Sequence, residues 1–176
     1  IGHIRFSFYG ITDTKLRPDR ANASLARLYD EARMARRFFL FERLTLPSLL
    51  AQTDQDFRLV IMSSDVMPDP YKDRLLQLSE KLPDVAVDFS VNRRSLFAYK
   101  KHMFSALGPG LAGSAVHFRL DDDDALAASF IARLRRLSRD LPASTHFSFP
   151  RGIMLFPSQP GGTDGVSMIR TEPLTA

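Results

Sequence analysis

Apolar residues along the chain form two patterns, short continuous runs and helically spaced series. Short apolar runs bounded by polar or turn-forming residues are typical of β-strands buried in a sheet. Series in which apolar residues recur every three or four positions are typical of helices packed on one face. The runs predict strands at 3–9, 57–63, 85–89, 115–120 and 146–149, the last with a hairpin partner at 153–156. The series predict helices at about 25–52, 69–82, 95–107 and 126–141.

Local signals mark the ends of several helices. Pro47 is predicted to break or restart the long first helix, because proline inside a helix removes a hydrogen bond. Asp69 and Pro70 have the residue types of an N-cap and a first helical position. Asp124 is predicted to cap the helix that follows it, or to lie in its first turn. Strands that alternate with helices are typical of an α/β protein with a mainly parallel central sheet.

The length and composition agree with an ordinary globular domain. The chain has 176 residues, which is enough for one sizeable core. From position 157 onward it becomes rich in Gly, Pro and Ser, so we predict a main domain at 1–157 and a loop-rich tail at 158–176. The chain starts inside a predicted strand without a methionine. We therefore interpret it as a piece of a longer protein, with the tail beginning a further region.

Charge and cysteine content exclude several classes of protein. There is no cysteine, so a disulfide framework and a thiolate metal site are excluded, and we predict a cytoplasmic setting. The net charge is +4, but the arginines are scattered rather than clustered, and we predict no nucleic-acid partner. No run approaches the ~20 apolar residues that a membrane-spanning helix needs.

Four consecutive aspartates, Asp121 to Asp124, follow the strand predicted at 115–120. If the strand continues through them, Asp121 and Asp123 project to one side and Asp122 to the other. The carboxyl ends of parallel strands are where α/β sheets bind ligands. Adjacent carboxylates repel one another without a cation, and Mg²⁺ or Mn²⁺ prefers oxygen ligands. The run therefore predicts a metal site at Asp121 and Asp123.

Other interpretations of these segments are weaker. The four aspartates could form a solvated turn that caps the helix after it, but a cap needs only one acid, not four. A calcium loop would need Gly and Glu where Leu126 and Ala132 stand. A phosphatase of the haloacid dehalogenase type usually has its acidic motif on the first strand, whereas the run here begins only at position 121, so this interpretation is weak. The glycines at 108–113 match a dinucleotide fingerprint, but they follow a predicted helix and precede a strand, so we interpret them as a turn.

A few polar residues outside the acidic run are also candidates. Ser64 and Asp65 follow the second strand and could bind a base or ribose through hydrogen bonds. Arg94 precedes a predicted helix start and could bind a diphosphate. His3 and His117 lie in apolar strands, and we interpret both as hydrogen-bonded structural residues. No nucleophile–base pair can be argued from spacing, so the catalytic base is not assigned.

The chain resembles GT-A glycosyltransferases and, more narrowly, a bacterial rhamnosyltransferase family. The resemblance covers about residues 3–157. It is carried by the acidic run within 119–126, by the segment 41–53 followed by 56–61, and by Arg5-Phe6-Ser7 on the first strand. It implies a GT-A, Rossmann-like three-layer sandwich, with helices flanking a mainly parallel sheet.

The resemblance also implies an activity and roles for residues. The enzyme would be a metal-dependent glycosyltransferase that uses Mn²⁺ or Mg²⁺ and moves a sugar, with rhamnose as one candidate, from a UDP- or dTDP-sugar. The acceptor would be a glycan or glycolipid, which leaves peripheral association with the inner face of the membrane open. Asp121 would be the first acid of the motif, Asp123 the metal-binding second acid, and Asp65 the contact to the base. The candidate contacts to the nucleotide sugar are Ser7, Ser64, Asp65, Arg94, Asp121 and Asp122.

Two other functions remain open from the sequence. A sugar-phosphate nucleotidyltransferase needs the same sheet and metal, but it normally carries a glycine-rich basic loop after the first strand. Residues 10–18 contain a single glycine. A non-catalytic domain that keeps the GT-A-like fold as a binding module is the other alternative.

Overall fold

A computed structural model describes residues 1–9, 21–91, 115–142, 145–146, 148–149, 151–156 and 165–170. The chain divides into two compact units, Ile1–Asp140 and Leu141–Ala176. The sequence instead placed a boundary at 157. The predicted helix at 95–107, the glycine turn at 108–113 and the candidate Arg94 lie outside the described residues.

The first unit is built on a four-stranded sheet in which every pair of neighbouring strands is parallel. The order of the strands is β3-β2-β1-β4, so β1 lies inside the sheet with β4 at an edge. This arrangement confirms the predicted α/β class and is consistent with a GT-A-like fold. The strands are β1 (Gly2–Arg5), β2 (Leu59–Ser64), β3 (Val85–Ser90) and β4 (Phe118–Asp121).

Helices and one wider turn connect these strands. The chain passes from β1 to β2 through several consecutive helical segments. They are α1 (Ala21–Leu28), α2 (Glu31–Leu40), a π-helical turn (Phe41–Thr45) and α3 (Leu46–Leu50), and later in the chain come α4 (Asp69–Ser79) and α5 (Phe130–Ser138). Among the described residues no helix is long and apolar enough to cross a membrane.

The long first helix is interrupted where the sequence did not predict it. The break lies at Tyr29 and Asp30, and the Asp30 carboxylate accepts a hydrogen bond from the N–H of Arg33 to cap α2. Pro47 lies in the first turn of α3, so a new α-helical segment begins there, in agreement with the predicted break or restart. The preceding π turn accommodates it, because the N–H of Leu46 donates to Phe41, five residues back, rather than four.

The predicted caps of the two later helices are wrong, although α4 begins within one residue of its predicted start. Pro68 occupies the N-cap position of α4, so Asp69 is already helical. Ser129 occupies that position for α5, so Asp124 does not cap it. Gln52 explains the late start of α5. Its side-chain amide donates to the carbonyl of Ala127 at 3.0 Å and accepts from the N–H of Ile131 at 3.1 Å, which holds the preceding residues outside the helix.

The predicted apolar face of the last helix is only partly correct. The apolar spacing predicts a face made of Leu126, Phe130, Leu134, Leu137 and Leu141. Leu134 is buried, whereas Leu137 and Leu141 are 43% and 45% exposed. Leu141 also lies beyond the end of α5 at Ser138. The helix is therefore shorter than its apolar pattern suggested, and Leu137 in its last turn is exposed.

Aromatic side chains join the sheet to the helices. Phe6, just after β1, is fully buried, and its ring centroid lies 4.7 Å from that of Phe38 and 5.4 Å from that of Phe41. The ring centroid of Phe38 also lies 6.0 Å from that of Tyr71 in α4. Helices α2 and α4 therefore cover the same face of the sheet, as right-handed crossovers in one direction require.

The second unit contains an antiparallel hairpin of β5 (Arg151–Phe156) and β6 (Gly165–Arg170). The predicted strand at 146–149 is wrong, since its described residues are not in a strand. The partner of β5 is β6, which lies in the segment predicted as loop. Val166 and Met168 alternate with Gly165 and Ser167, a two-residue period that the surrounding glycines and prolines obscured.

The histidines His3 and His117 contact each other, as their structural interpretation predicted. The Nε2 atom of His3 lies 2.9 Å from Nδ1 of His117, and the rings stack at 5.1 Å. Burial, followed by the nearby His117, lowers the pKa of His3 to about 4. This ring therefore stays neutral in the folded protein at pH values where it would take up a proton in the unfolded chain.

Acidification is expected to destabilise the fold through His3. The pKa is about 6.5 in the unfolded chain and lower in the fold, so this contribution is complete above pH 6.5 and is lost as the pH falls toward 4. After allowance for solvent near the ring, we expect a loss of about 1–2 kcal/mol. Thermal unfolding of the wild type and a His3→Gln variant, from about pH 7.5 to about pH 4.5, measures it.

The control for that experiment is His146→Gln, because His146 is exposed. We expect its melting temperature to follow the pH dependence of the wild type, while His3→Gln shows a shallower dependence. Equal pH slopes for all three proteins would contradict the assignment to His3.

Candidate functional site

The acidic run forms a turn at the carboxyl end of β4. The strand ends at Asp121, and the N–H of Asp124 donates to the carbonyl of Asp121 at 3.2 Å. The two-residue alternation of a strand therefore does not extend to Asp122 and Asp123. The prediction that Asp122 faces away is wrong. Its side chain is 2% exposed and lies in the same cleft as Asp121.

Two contacts from the segment α2–α3 hold Asp122 in this position. The hydroxyl of Thr45, in the π turn, donates to the carbonyl of Asp122 at 3.0 Å. The guanidinium of Arg37 lies 3.1 Å from Oδ1 of Asp122, and the same nitrogen lies 2.5 Å from Oδ2 of Asp123. One arginine thus bridges the second and third carboxylates of the run.

Arg33 lies one helical turn before Arg37 on α2, so both side chains project from the same side of that helix. Its guanidinium donates to the hydroxyl of Ser7 at 3.1 Å and to the carbonyl of Leu28. Ser7 has a φ angle of 43°, a left-handed conformation that non-glycine residues rarely adopt. Such backbone strain concentrates at functional sites.

Asp121 has a different set of partners from its neighbours. Arg119 of the same strand donates to both of its carboxylate oxygens, at 2.9 and 3.1 Å. Arg5, which lies opposite Asp121 in the pairing of β1 with β4, approaches to 3.8 Å. Asp121 remains 42% exposed, so its carboxylate can still reach a ligand.

A cleft of about 210 Å³ lies at the carboxyl ends of β1 and β4. Three arginines and two aspartates face it, so it offers both cationic and anionic groups to a ligand. Its lining residues are Arg5, Ser7, Phe8, Leu28, Arg33, Arg37, Asp121 and Asp122. A planar guanidinium binds phosphate oxygens well, and a diphosphate would have three such groups within reach.

Asp122 is the most perturbed carboxyl group of the cleft. Burial raises its pKa to about 6, against the opposing effect of Arg37 and with a smaller upward effect from Asp123. Its Oδ2 atom has no hydrogen-bond partner among the described residues. A buried carboxylate oxygen without a donor is costly, and a bound cation would remove that cost.

The donor set fits a magnesium or manganese ion only in part. In the part of the chain that the structure describes, no group of three His, Cys, Asp or Glu side chains could hold a metal. The aspartates would supply one or two carboxylates, and substrate phosphates would have to complete the coordination shell. That arrangement is the one magnesium commonly adopts with phosphorylated substrates.

The other candidates lie away from this cleft. The Ser64 hydroxyl is fully buried, accepts from the N–H of Tyr9 at 2.7 Å and donates to its carbonyl at 3.3 Å. This pairing joins the end of β2 to the segment after β1. Asp65 follows β2, and its N–H donates to Ser90. Neither lines the cleft, and their contact with a nucleotide sugar stays a prediction, as do the roles of Ser7 and Asp121.

Comparison with known families decides the class of the protein. A family model described as "Putative rhamnosyl transferase" matches residues 1–176, the whole chain. The chain belongs to this family. The predicted family and the predicted glycosyltransferase activity are thereby confirmed, so the alternatives of a nucleotidyltransferase and a non-catalytic module are set aside. No curated protein and no solved structure matches the chain.

Proposed function

We propose that this glycosyltransferase binds a nucleotide-diphospho-sugar in the cleft between β1 and β4 and transfers its sugar in a metal-dependent reaction. The observation that carries the proposal is the meeting of the acidic run with Arg5, Arg33 and Arg37 in one cleft. A diphosphate carries enough negative charge to bind these arginines, and it also offers the oxygens that a metal held by two aspartates requires.

The chemistry follows from this arrangement. A hydroxyl of the acceptor attacks the anomeric carbon and gives up its proton to a general base, while the bond from that carbon to the diphosphate oxygen breaks. Negative charge grows on the departing diphosphate, where Arg33 and Arg37 can stabilise it electrostatically. Mn²⁺ or Mg²⁺ bound at Asp121, Asp122 or Asp123 would supply Lewis-acid stabilisation of the same charge.

The name of the family supports rhamnose as the transferred sugar. We propose a glycan or glycolipid as the acceptor. UDP and dTDP are the nucleotides that we propose for the donor. A cytoplasmic enzyme that used a glycolipid acceptor would act at the inner face of the membrane, and that location is part of the proposal.

The donor site can be tested by thermal unfolding with Mn²⁺ and either UDP or dTDP. At a saturating concentration we expect one nucleotide with Mn²⁺ to raise the melting temperature of the wild type by about 5 °C or more. Asp123→Ala removes a proposed metal ligand and should lose most of this shift. Asp73→Ala, which changes an exposed aspartate of α4, is the matched control and should keep it. Equal shifts in all three proteins would refute the site.

A further inference from the structure

Arg37 occupies the position of a shared cation between two carboxylates. A single guanidinium nitrogen contacts Oδ1 of Asp122 and Oδ2 of Asp123. The Asp122 side chain is 2% exposed and lines the cleft, and its other oxygen has no hydrogen-bond partner among the described residues. The two carboxylates that converge are therefore the second and third of the run, whereas Asp121 is directed to Arg119 and Arg5.

We propose that Arg37 is the resident counter-cation of the metal site, and that it exchanges with the divalent ion when the donor binds. Asp122 and Asp123 would hold the ion in place of the guanidinium, and the Arg37 guanidinium, once released, would bind the donor diphosphate. The inference rests on the proposed function, and it assigns Asp122, together with Asp123, as a metal ligand in place of the pair Asp121 and Asp123.

Charge balance supports an exchange. Two carboxylates and one guanidinium leave one net negative charge, which is close to balanced for a partly buried site. A divalent ion added beside the guanidinium would place three positive charges against two negative ones at short range, which is unfavourable. Exchange of the guanidinium for the ion removes this excess of positive charge, and the displaced guanidinium then needs an anion to bind.

The diphosphate of the donor can bind in the cleft beside Arg37. Arg37 is 27% exposed, so its side chain reaches solvent in the cleft. Arg33 lies one turn away on α2 and is fixed by Ser7 and Leu28, so it marks a second cationic position. A diphosphate bound there would contact both guanidinium groups of α2 while its oxygens complete the metal shell.

This exchange makes the binding of metal and of nucleotide cooperative. Metal alone must displace Arg37 without giving it a new partner, so it binds weakly. The diphosphate supplies that partner, so each ligand raises the affinity for the other by the same factor. A protein without the Arg37 charge should lose this coupling.

Titration calorimetry of Mn²⁺, with and without the nucleoside diphosphate that stabilises the wild type, tests the exchange in an Arg37→Gln variant. We expect Mn²⁺ alone to bind about tenfold more tightly than to the wild type, because its competitor is gone. We expect the nucleotide, with Mn²⁺ present, to bind about tenfold more weakly. Arg36→Gln, at the neighbouring exposed position of the same helix, should match the wild type in both measurements.

Two further variants guard against an effect on folding alone. Arg37→Lys keeps the positive charge, and we expect it to retain weak binding of Mn²⁺ alone. Arg37→Gln should unfold at a lower temperature without metal, and Mn²⁺ should restore its stability by more than it stabilises the wild type. The double variant Arg37→Gln with Asp122→Asn removes both charges of the buried pair. We expect it to lose the tighter binding of Mn²⁺ that Arg37→Gln alone should show.

The outcomes separate the inference from the proposed function. If the wild type binds Mn²⁺ and nucleotide cooperatively but Arg37→Gln binds Mn²⁺ no more tightly, the exchange is wrong and the donor site stands. Failure of the wild type to bind either ligand would overturn both.

Discussion

Replacing Phe6 with alanine is expected to lower the free energy of unfolding by about 3–5 kcal/mol. Phe6 is fully buried and contacts the rings of Phe38 and Phe41, so its removal leaves a cavity between the sheet and the helical segment that covers it. Phe41 begins the π turn that precedes α3. The loss therefore weakens both the core and the attachment of α2.

The same substitution should also weaken the donor site, because Phe6 lies between Arg5 and Ser7 and packs against the helix that carries Arg33 and Arg37. Urea unfolding followed by circular dichroism measures the stability, and binding of Mn²⁺ with nucleotide measures the site. Phe39→Ala is the control on α2, since Phe39 is 60% exposed and its removal should change stability by about 0.5 kcal/mol or less. A loss below about 1 kcal/mol for Phe6→Ala would contradict this account of the core.

Two strands of the sheet, β2 and β3, were the part of the fold that the sequence specified best. The run predicted at 57–63 and the one predicted at 85–89 differ from β2 and β3 by two residues at most at either end. β2 lies inside the sheet and is covered on both faces, so its apolar run is continuous and bounded by polar residues, whereas β3 lies at an edge and is half-buried over most of its length. Helix boundaries were less certain, because Gln52 reaches across to the start of α5 through contacts that no local pattern reveals.

The location of the site was predictable, whereas its geometry was not. The acidic run and its place at a strand end are local features of the sequence. The side chain that bridges Asp122 and Asp123 belongs to Arg37, more than eighty positions away in the chain. In the sequence, Arg33, Arg36 and Arg37 resemble a solvated helix face. Only the packing of α2 against Phe6 brings two of these arginines into the cleft while leaving Arg36 exposed.

Asp122 shows most clearly what tertiary structure adds. The alternation rule assigned it to the opposite side from Asp121, because the rule assumes that the strand continues. The strand ends one residue earlier, and the turn directs Asp122 inward beneath Arg37. A carboxylate buried in this way is costly for folding, so we propose that Asp122 serves the binding of the donor rather than stability.

Replacing Asp122 with asparagine is therefore expected to separate activity from stability. The amide has nearly the same volume and can still accept a hydrogen bond from Arg37, but it is neutral and a poor ligand for a divalent ion. The melting temperature should stay the same or rise, because burying an amide costs less than burying a carboxylate. The rate of sugar transfer should fall by about 100-fold, the scale on which single electrostatic groups contribute to a transition state.

Release of UDP or dTDP from the corresponding nucleotide sugar, in the presence of Mn²⁺, measures the rate at which the sugar is transferred to water and needs no defined acceptor. Asp73→Asn is the matched control, since it makes the same chemical change at an exposed position of α4 and should leave the rate unaltered. Thermal unfolding of the three proteins measures stability in parallel. A variant that is destabilised but transfers sugar at a rate within about twofold of the wild type would show that the buried carboxylate serves the fold rather than the donor.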